Sequence, residues 1–375
     1  MSPSVVRRLS FATTFFALLW PVLAGAQQYH RTDLTVDKST VSPSAPNVDP
    51  NLVNAWGISR GNGSPWWISD NGTGLSTLYN ASGAPFVPPG GTQPVVVQIP
   101  TPDGTGTSAP TGTVFNATTG FLMSRAANAP KAIFLFVTED GTIAGWNPGV
   151  NANAVILKNR AGQAVYKGCA IATLQSGPRF YATNFQSGRV EVFDSKLFRV
   201  EPGNETAFRI PGLSADYAPF NIQNVGGNLV VTFAHRAPGS RDEDHGAGLG
   251  FVGIFNPTGR LLATLQHGPW FNAPWGIALA PGDFGKFSHR LLIGNFGDGT
   301  INAFNIFTGK REGNMLDDKT QQTLVIQGLW GISFGGDTTN NGLATTLYFT
   351  AGPNDEADGL FGNLTAASDQ PGNSQ

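Results

Sequence analysis

Short apolar runs of four to six residues recur along this chain, each broken by a turn rich in Gly, Asn, Asp or Pro. Runs of that length, biased towards Val, Ile, Thr and aromatics, predict β-strands. The runs are themselves periodic. An aromatic–Gly or similar pair opens a strand at Trp56-Gly57, Thr111-Gly112, Lys167-Gly168, Phe220-Asn221, Trp275-Gly276 and Trp330-Gly331. The second members stand at 57, 112, 168, 221, 276 and 331, so the spacings are 55, 56, 53, 55 and 55. A fixed period of this size is the signature of blades repeated around a ring.

Each opening strand is followed by a second, over 66–69, 133–138, 180–183, 229–232, 291–294 and 347–350. Gly-bearing turns such as Asp140-Gly141, Ser187-Gly188 and Asp298-Gly299 suit hairpins to a third strand. Third strands end on Tyr79, Trp146, Phe193, Phe255, Phe304 and Phe361, expected to pack between blades. Fainter fourth strands are expected over 95–99, 154–158, 206–210, 261–265 and 323–326. The sixth repeat has none of its own, and the unassigned strand-like stretch 31–36 is expected to complete it. Closure of that kind removes exposed sheet edges. The expected fold is all-β: a six-bladed β-propeller over 27–364, closed by the N-terminal strand, with a polar flexible tail over 365–375.

Composition agrees with this. Of 375 residues, 48 are Gly and 26 Pro, while only 13% are charged, which suits many strands broken by tight turns. The near-neutral net charge of −2 argues against nucleic acid, which usually selects a basic patch. Cys169 is the only cysteine and sits in an apolar run, so a buried inert thiol is expected and no internal disulfide can form. Residues 1–26 have the form of an export signal: Arg7 and Arg8, an apolar stretch over 9–23, and Ala24-Gly25-Ala26 with a cut after Ala26. No later run reaches the ~20 apolar residues that span a bilayer. A secreted or periplasmic monomer is the expectation.

In a propeller, the loops between second and third strands share a face with the segments leading into each first strand. That face collects Asp70, Glu139, Asn184, His235, Asn295, Asp298 and the run Asn354-Asp355-Glu356, and it is acidic and amide-rich. Asp70, Glu139, Asn184 and Asn295 have the oxygen chemistry of a Ca²⁺ ring, and equally that of turn caps. His235, Glu139 and Lys167 are the candidates for catalysis. Lys167 replaces the aromatic of the opening pair and could pair with Glu139 or take an anionic group. Trp56, Trp275 and Trp330, with Asn221 and Asp298, could line a ligand face or serve as core wedges. The blade 4 loop carries Asp242-Glu243-Asp244-His245, which reads either as a metal or proton-transfer cluster or as a solvated loop. No H-E-x-x-H, paired C-x-x-C or P-loop occurs.

Taken together, Asp49-Pro50-Asn51-Leu52-Val53-Asn54, Asp70-Asn71-Gly72-Thr73-Gly74, Thr138-Glu139-Asp140-Gly141, Ala218-Pro219-Phe220-Asn221, Asn272-Ala273-Pro274-Trp275-Gly276 and Gly294-Asn295-Phe296-Gly297-Asp298-Gly299 resemble a family of bacterial exported β-propellers of uncharacterised function. More distantly the chain is similar to NHL-type propellers and to calcium-dependent lactonases of the gluconolactonase type. The first resemblance implies export without a known reaction, and the second implies a divalent ion held by acidic and amide side chains. The expected function is an exported binding module for a small molecule, glycan or envelope protein. The alternatives are a calcium-dependent hydrolase or lactonase, and a structural scaffold.

Overall fold

In the computed structural model, which describes residues 28–126, 128–200 and 206–367, the opening pairs meet at one axis. A Cβ on Gly57 would lie 2.2 Å from the Thr111 carbonyl oxygen, and one on Gly331 2.9 Å from that of Trp56. The glycines therefore let inner strands of adjacent blades touch backbone to backbone. Blade 4 places Asn221 there instead, and its Nδ2 donates to the Trp275 carbonyl at 2.8 Å.

Around that axis stand six antiparallel sheets. Blade 1 comprises Ala55–Ser59, Trp66–Asp70, Leu75–Tyr79 and Val96–Gln98. Blade 2 comprises Pro110–Phe115, Phe134–Thr138, Thr142–Trp146 and Val155–Asn159. Blade 3 comprises Tyr166–Leu174, Gly177–Asn184, Arg189–Phe193 and Arg199–Val200. Blade 4 comprises Tyr217–Val225, Asn228–His235, Gly250–Phe255 and Leu261–Thr264. Blade 5 comprises Pro274–Leu279, Arg290–Asn295, Ile301–Asn305 and Arg311–Asn314. Blade 6 has Leu329–Phe334, Leu347–Ala351 and Leu360–Ala366, and its outer strand is Gln28–Val36, from the other end of the described chain.

The closing strand pairs antiparallel from Tyr29 with Ala366 to Val36 with Leu360. It is also pinned to blade 5: the fully buried Tyr29 packs on Phe284 and donates its hydroxyl to the Phe284 carbonyl. Strand pairing through Thr365 and Ala366 carries the propeller two residues beyond its expected end at 364. The expected export signal over 1–26 and the tail beyond 367 lie outside the described residues.

Third-strand aromatics do pack between blades. Trp146 and Tyr79 meet Trp67 and Phe361 of neighbouring blades with ring centroids 4.6 and 5.6 Å apart. Two outer strands differ from expectation. In blade 3 the edge of Arg189–Phe193 is taken by Arg199–Val200, and 206–210 forms turns instead. Phe208 there adopts a left-handed φ of 57° and is buried against Tyr181 and Phe255. In blade 5 the outer strand is the polar Arg311–Asn314, while Leu324 and Ile326, expected in a strand, fill the core between blades 5 and 6.

Candidate functional site

One mouth of the channel is stopped by aromatics. Trp56, Phe185, Phe220, Trp275 and Trp330 form a buried cluster with Phe296 packed on it. Trp330 stacks between Trp56, at 3.7 Å, and Phe296, at 3.8 Å. The three tryptophans are thus core wedges that also make a floor. Their indole N–H groups are partly engaged: Trp275 donates to the Lys167 carbonyl and Trp330 to Asn54 Oδ1.

On this floor sits Lys167, whose side chain is only 1% exposed. Its Nζ lies 5.1 Å from the Trp56 ring centroid and 5.6 Å from that of Phe185, within cation–π range. The ammonium donates to Glu139 Oε1 at 2.6 Å and Asp242 Oδ1 at 3.3 Å, with Glu243 Oε2 at 3.8 Å. Burial pulls the Lys167 pKa down, but attraction to Glu139 and Glu243 outweighs it, and the net shift is upward. Lys167 is held as a cation.

The carboxylates come from three blades. Glu139, from blade 2, also accepts from Asn71 Nδ2, and Asn71 Oδ1 accepts from Asn54 Nδ2. The blade 4 loop reaches across to blade 2, where Arg241 donates to the Glu139 carbonyl at 2.9 Å. Blade 6 supplies Glu356 from a turn in which Asn354, Asp355 and Glu356 have φ of 57°, 53° and 65°. Three consecutive left-handed residues without glycine cost about 1–2 kcal/mol each. Burial, then repulsion from Glu243 and Glu139, pushes the Glu356 pKa up to about 7 against the pull of Lys167. His245 stands edge-on to Phe296, and the Glu243 carboxylate 3.7 Å away raises its pKa.

The ring expected from Asp70, Glu139, Asn184 and Asn295 does not assemble, and only Glu139 joins Lys167. The other three are fully buried, and their side-chain hydrogen bonds run to neighbouring segments and not to the Lys167 cluster. Asp70 accepts from the Thr77 amide, Asn184 donates to Glu191, and Asn295 donates to Thr300 and the Trp270 carbonyl. Burial pushes the Asp70 pKa well above its ordinary value, and hydrogen bonding from Thr77 works against that. Among the described residues no group of three or more His, Cys, Asp or Glu is arranged to hold a metal ion.

His235 bonds to Asp244 of its own blade at 2.7 Å and is not joined to the Lys167 cluster. Asp298 caps a turn through the Thr300 amide and hydroxyl. Asn221 and Cys169 line a narrow axial cavity of about 20 Å³ on the other side of Trp275. Cys169 is buried, and burial raises its pKa, as suits an inert thiol. Sequence reasoning placed Glu356 on this face without giving it a role, and missed Asn54 and Phe296 as members of the site. Glu356 was visible only as one acid in an acidic loop.

No family model matches the chain. It is 30% identical over 329 residues to the uncharacterized protein R648 of Acanthamoeba polyphaga mimivirus, covering 85% of this chain and 76% of that protein. It is likewise 30% identical over 332 residues to the uncharacterized protein L690 of the same virus, covering 85% and 82%. Among solved structures, a streptogramin B lyase aligns over 92% of this chain and 99% of its own, with a TM-score of 0.51 and 13% identity. A Bacteroides thetaiotaomicron protein of unknown function gives a TM-score of 0.51 over 91% and 76%, at 8% identity. Similarity at that level concerns the propeller fold alone.

Proposed function

We propose that this chain, which belongs to the family of the mimivirus proteins R648 and L690, is a binding module whose carboxylate-rich channel mouth takes a small cationic ligand. The observation that carries this reading is an imbalance of charge. One buried lysine faces Glu139, Asp242, Glu243 and Glu356, and Glu243 Oε2 is buried without a hydrogen-bond donor. A buried carboxylate oxygen with no hydrogen-bond donor, and with the Lys167 ammonium no nearer than 3.8 Å, is costly, and an ammonium or guanidinium group would supply both the donor and further charge. Phe296, partly buried and stacked on Trp330, offers an adjacent apolar face.

The test is calorimetry of the protein with choline, arginine and spermidine, beside neutral glycans and Ca²⁺. An organic cation is expected to bind, more weakly at high salt, and Glu243→Gln should weaken it about tenfold or more, a loss of ~1.4 kcal/mol. Unchanged affinity in that variant, or binding by glycans alone, overturns the cationic reading. Stabilisation by Ca²⁺ that Glu139→Ala abolishes would make the occupant a metal ion. A second reading, hydrolysis, is supported by Glu356, since a carboxyl group with a pKa of about 7 suits proton transfer. Turnover of an ester or lactone, lost in Glu356→Gln, would favour it. Export is part of the same proposal, supported by the residue pattern over 1–26, and mass spectrometry of a secreted product beginning at Gln27 would test it.

A further inference from the structure

Far from the axis, blades 2 and 3 part to leave an open cleft of about 400 Å³, within the size range of small-molecule sites. Its walls combine two chemistries. Met123, Leu157 and the half-exposed Phe198 are apolar, while Arg125, Lys158 and Lys196 bring three cations from three different segments. Among the described residues no Asp or Glu lines it. Asp194, the neighbouring carboxylate in the chain, is already engaged, because its Oδ1 accepts from the amides of Lys196 and Phe198. Among the described residues none of the three cations has a carboxylate within ion-pair distance, and Arg125 lies over the Phe198 ring at 5.3 Å instead. The chain as a whole carries a net charge of −2, so this patch runs against the balance of the molecule.

We propose that this cleft is a second binding site, for a small amphiphilic carboxylate such as a medium-chain fatty acid. The apolar wall takes the chain, because burying it releases water from both surfaces. The cations take the head, with Arg125 able to hold a carboxylate by two parallel hydrogen bonds. Neither an all-apolar ligand nor a cationic one uses both halves of the wall.

The experiment is calorimetric titration with decanoate below its micelle concentration, beside decanol and decyltrimethylammonium, on wild type and an Arg125→Glu/Lys196→Glu variant. All three lysine and arginine side chains reach solvent, so folding of the variant is checked by an unchanged melting midpoint. Decanoate is expected to bind one site per chain, at least tenfold more tightly than decanol, with no binding of the ammonium. The charge reversal should remove that preference. A Leu157→Asp variant should lose decanoate and decanol alike, and Glu243→Gln at the channel mouth should change neither. Equal affinity for decanoate and decanol, or decanoate binding that survives the charge reversal, overturns the proposal.

Discussion

Lys167 and Glu356 decide the electrostatics of the channel mouth, and only the first was legible in the sequence. A lysine standing where three other repeats have tryptophan is conspicuous, and its partner Glu139 followed from blade register. Glu356 was not legible, because its effect depends on a left-handed turn and on burial, neither of which spacing reveals. Asp70, Asn184 and Asn295 misled for a related reason: residue type fitted a ring, but each is buried and bonded to its surroundings, Asp70 to the Thr77 amide, Asn184 to Glu191 and Asn295 to Thr300. The raised Glu356 pKa has a consequence for stability. A carboxyl whose folded pKa lies above its unfolded value contributes fully below the ordinary carboxylate range and loses that contribution as pH rises towards 7. Glu356→Gln should therefore match wild type near pH 4.5 and exceed it by about 2 kcal/mol at pH 8 in urea unfolding. An equal offset at both pH values would show that the carboxyl is not strained by its neighbours.

Inner and second strands were located from sequence within about one residue in blades 1, 2, 5 and 6, because the buried apolar run marks them, whereas in blades 3 and 4 they extend up to three or four residues beyond that run. Two outer strands were not located. Arg311–Asn314 borders solvent and carries no apolar signal, whereas the apolar stretch 323–326 belongs to the core without pairing as a strand. In blade 3 the alternation over 206–210 resembles a strand, yet Phe208 acts as a wedge between blades. Its amide donates to the Gly259 carbonyl, and its ring meets Tyr181 at 5.7 Å and Phe255 at 5.6 Å. If that wedge joins blades 3 and 4, Phe208→Ala should cost about 3–5 kcal/mol by denaturant unfolding, the usual loss for a buried aromatic. A surface strand residue at the same place would cost less than ~1 kcal/mol, and that result would contradict the wedge.

The ring as a whole depends on one junction between distant parts of the chain. Every other blade is hydrogen-bonded from a continuous segment, whereas the blade 6 outer strand comes from Gln28–Val36. Two short parallel pairings, of Thr35 and Val36 with Asn47–Val48 and of Gln28 and Tyr29 with Leu316–Asp317, hold the two ends of that strand on its other side. A chain beginning at Asp37 would lose these contacts together and expose Leu360–Ala366 as an unpaired edge. It would also lose the buried Tyr29, which joins blade 6 to Phe284 of blade 5. Exposed edges pair with one another, so this truncated protein should associate with rising concentration in light scattering, with a melting midpoint well below that of the parent. A synthetic peptide spanning residues 28–36 should restore both the monomer and the midpoint, because the vacant edge specifies its register from Tyr29 to Val36. A truncated chain that stays monomeric with an unchanged midpoint would mean that the inner strands hold the ring closed without the junction. Rescue by a scrambled peptide of the same composition would mean that edge pairing alone, without the Tyr29 contacts, restores it.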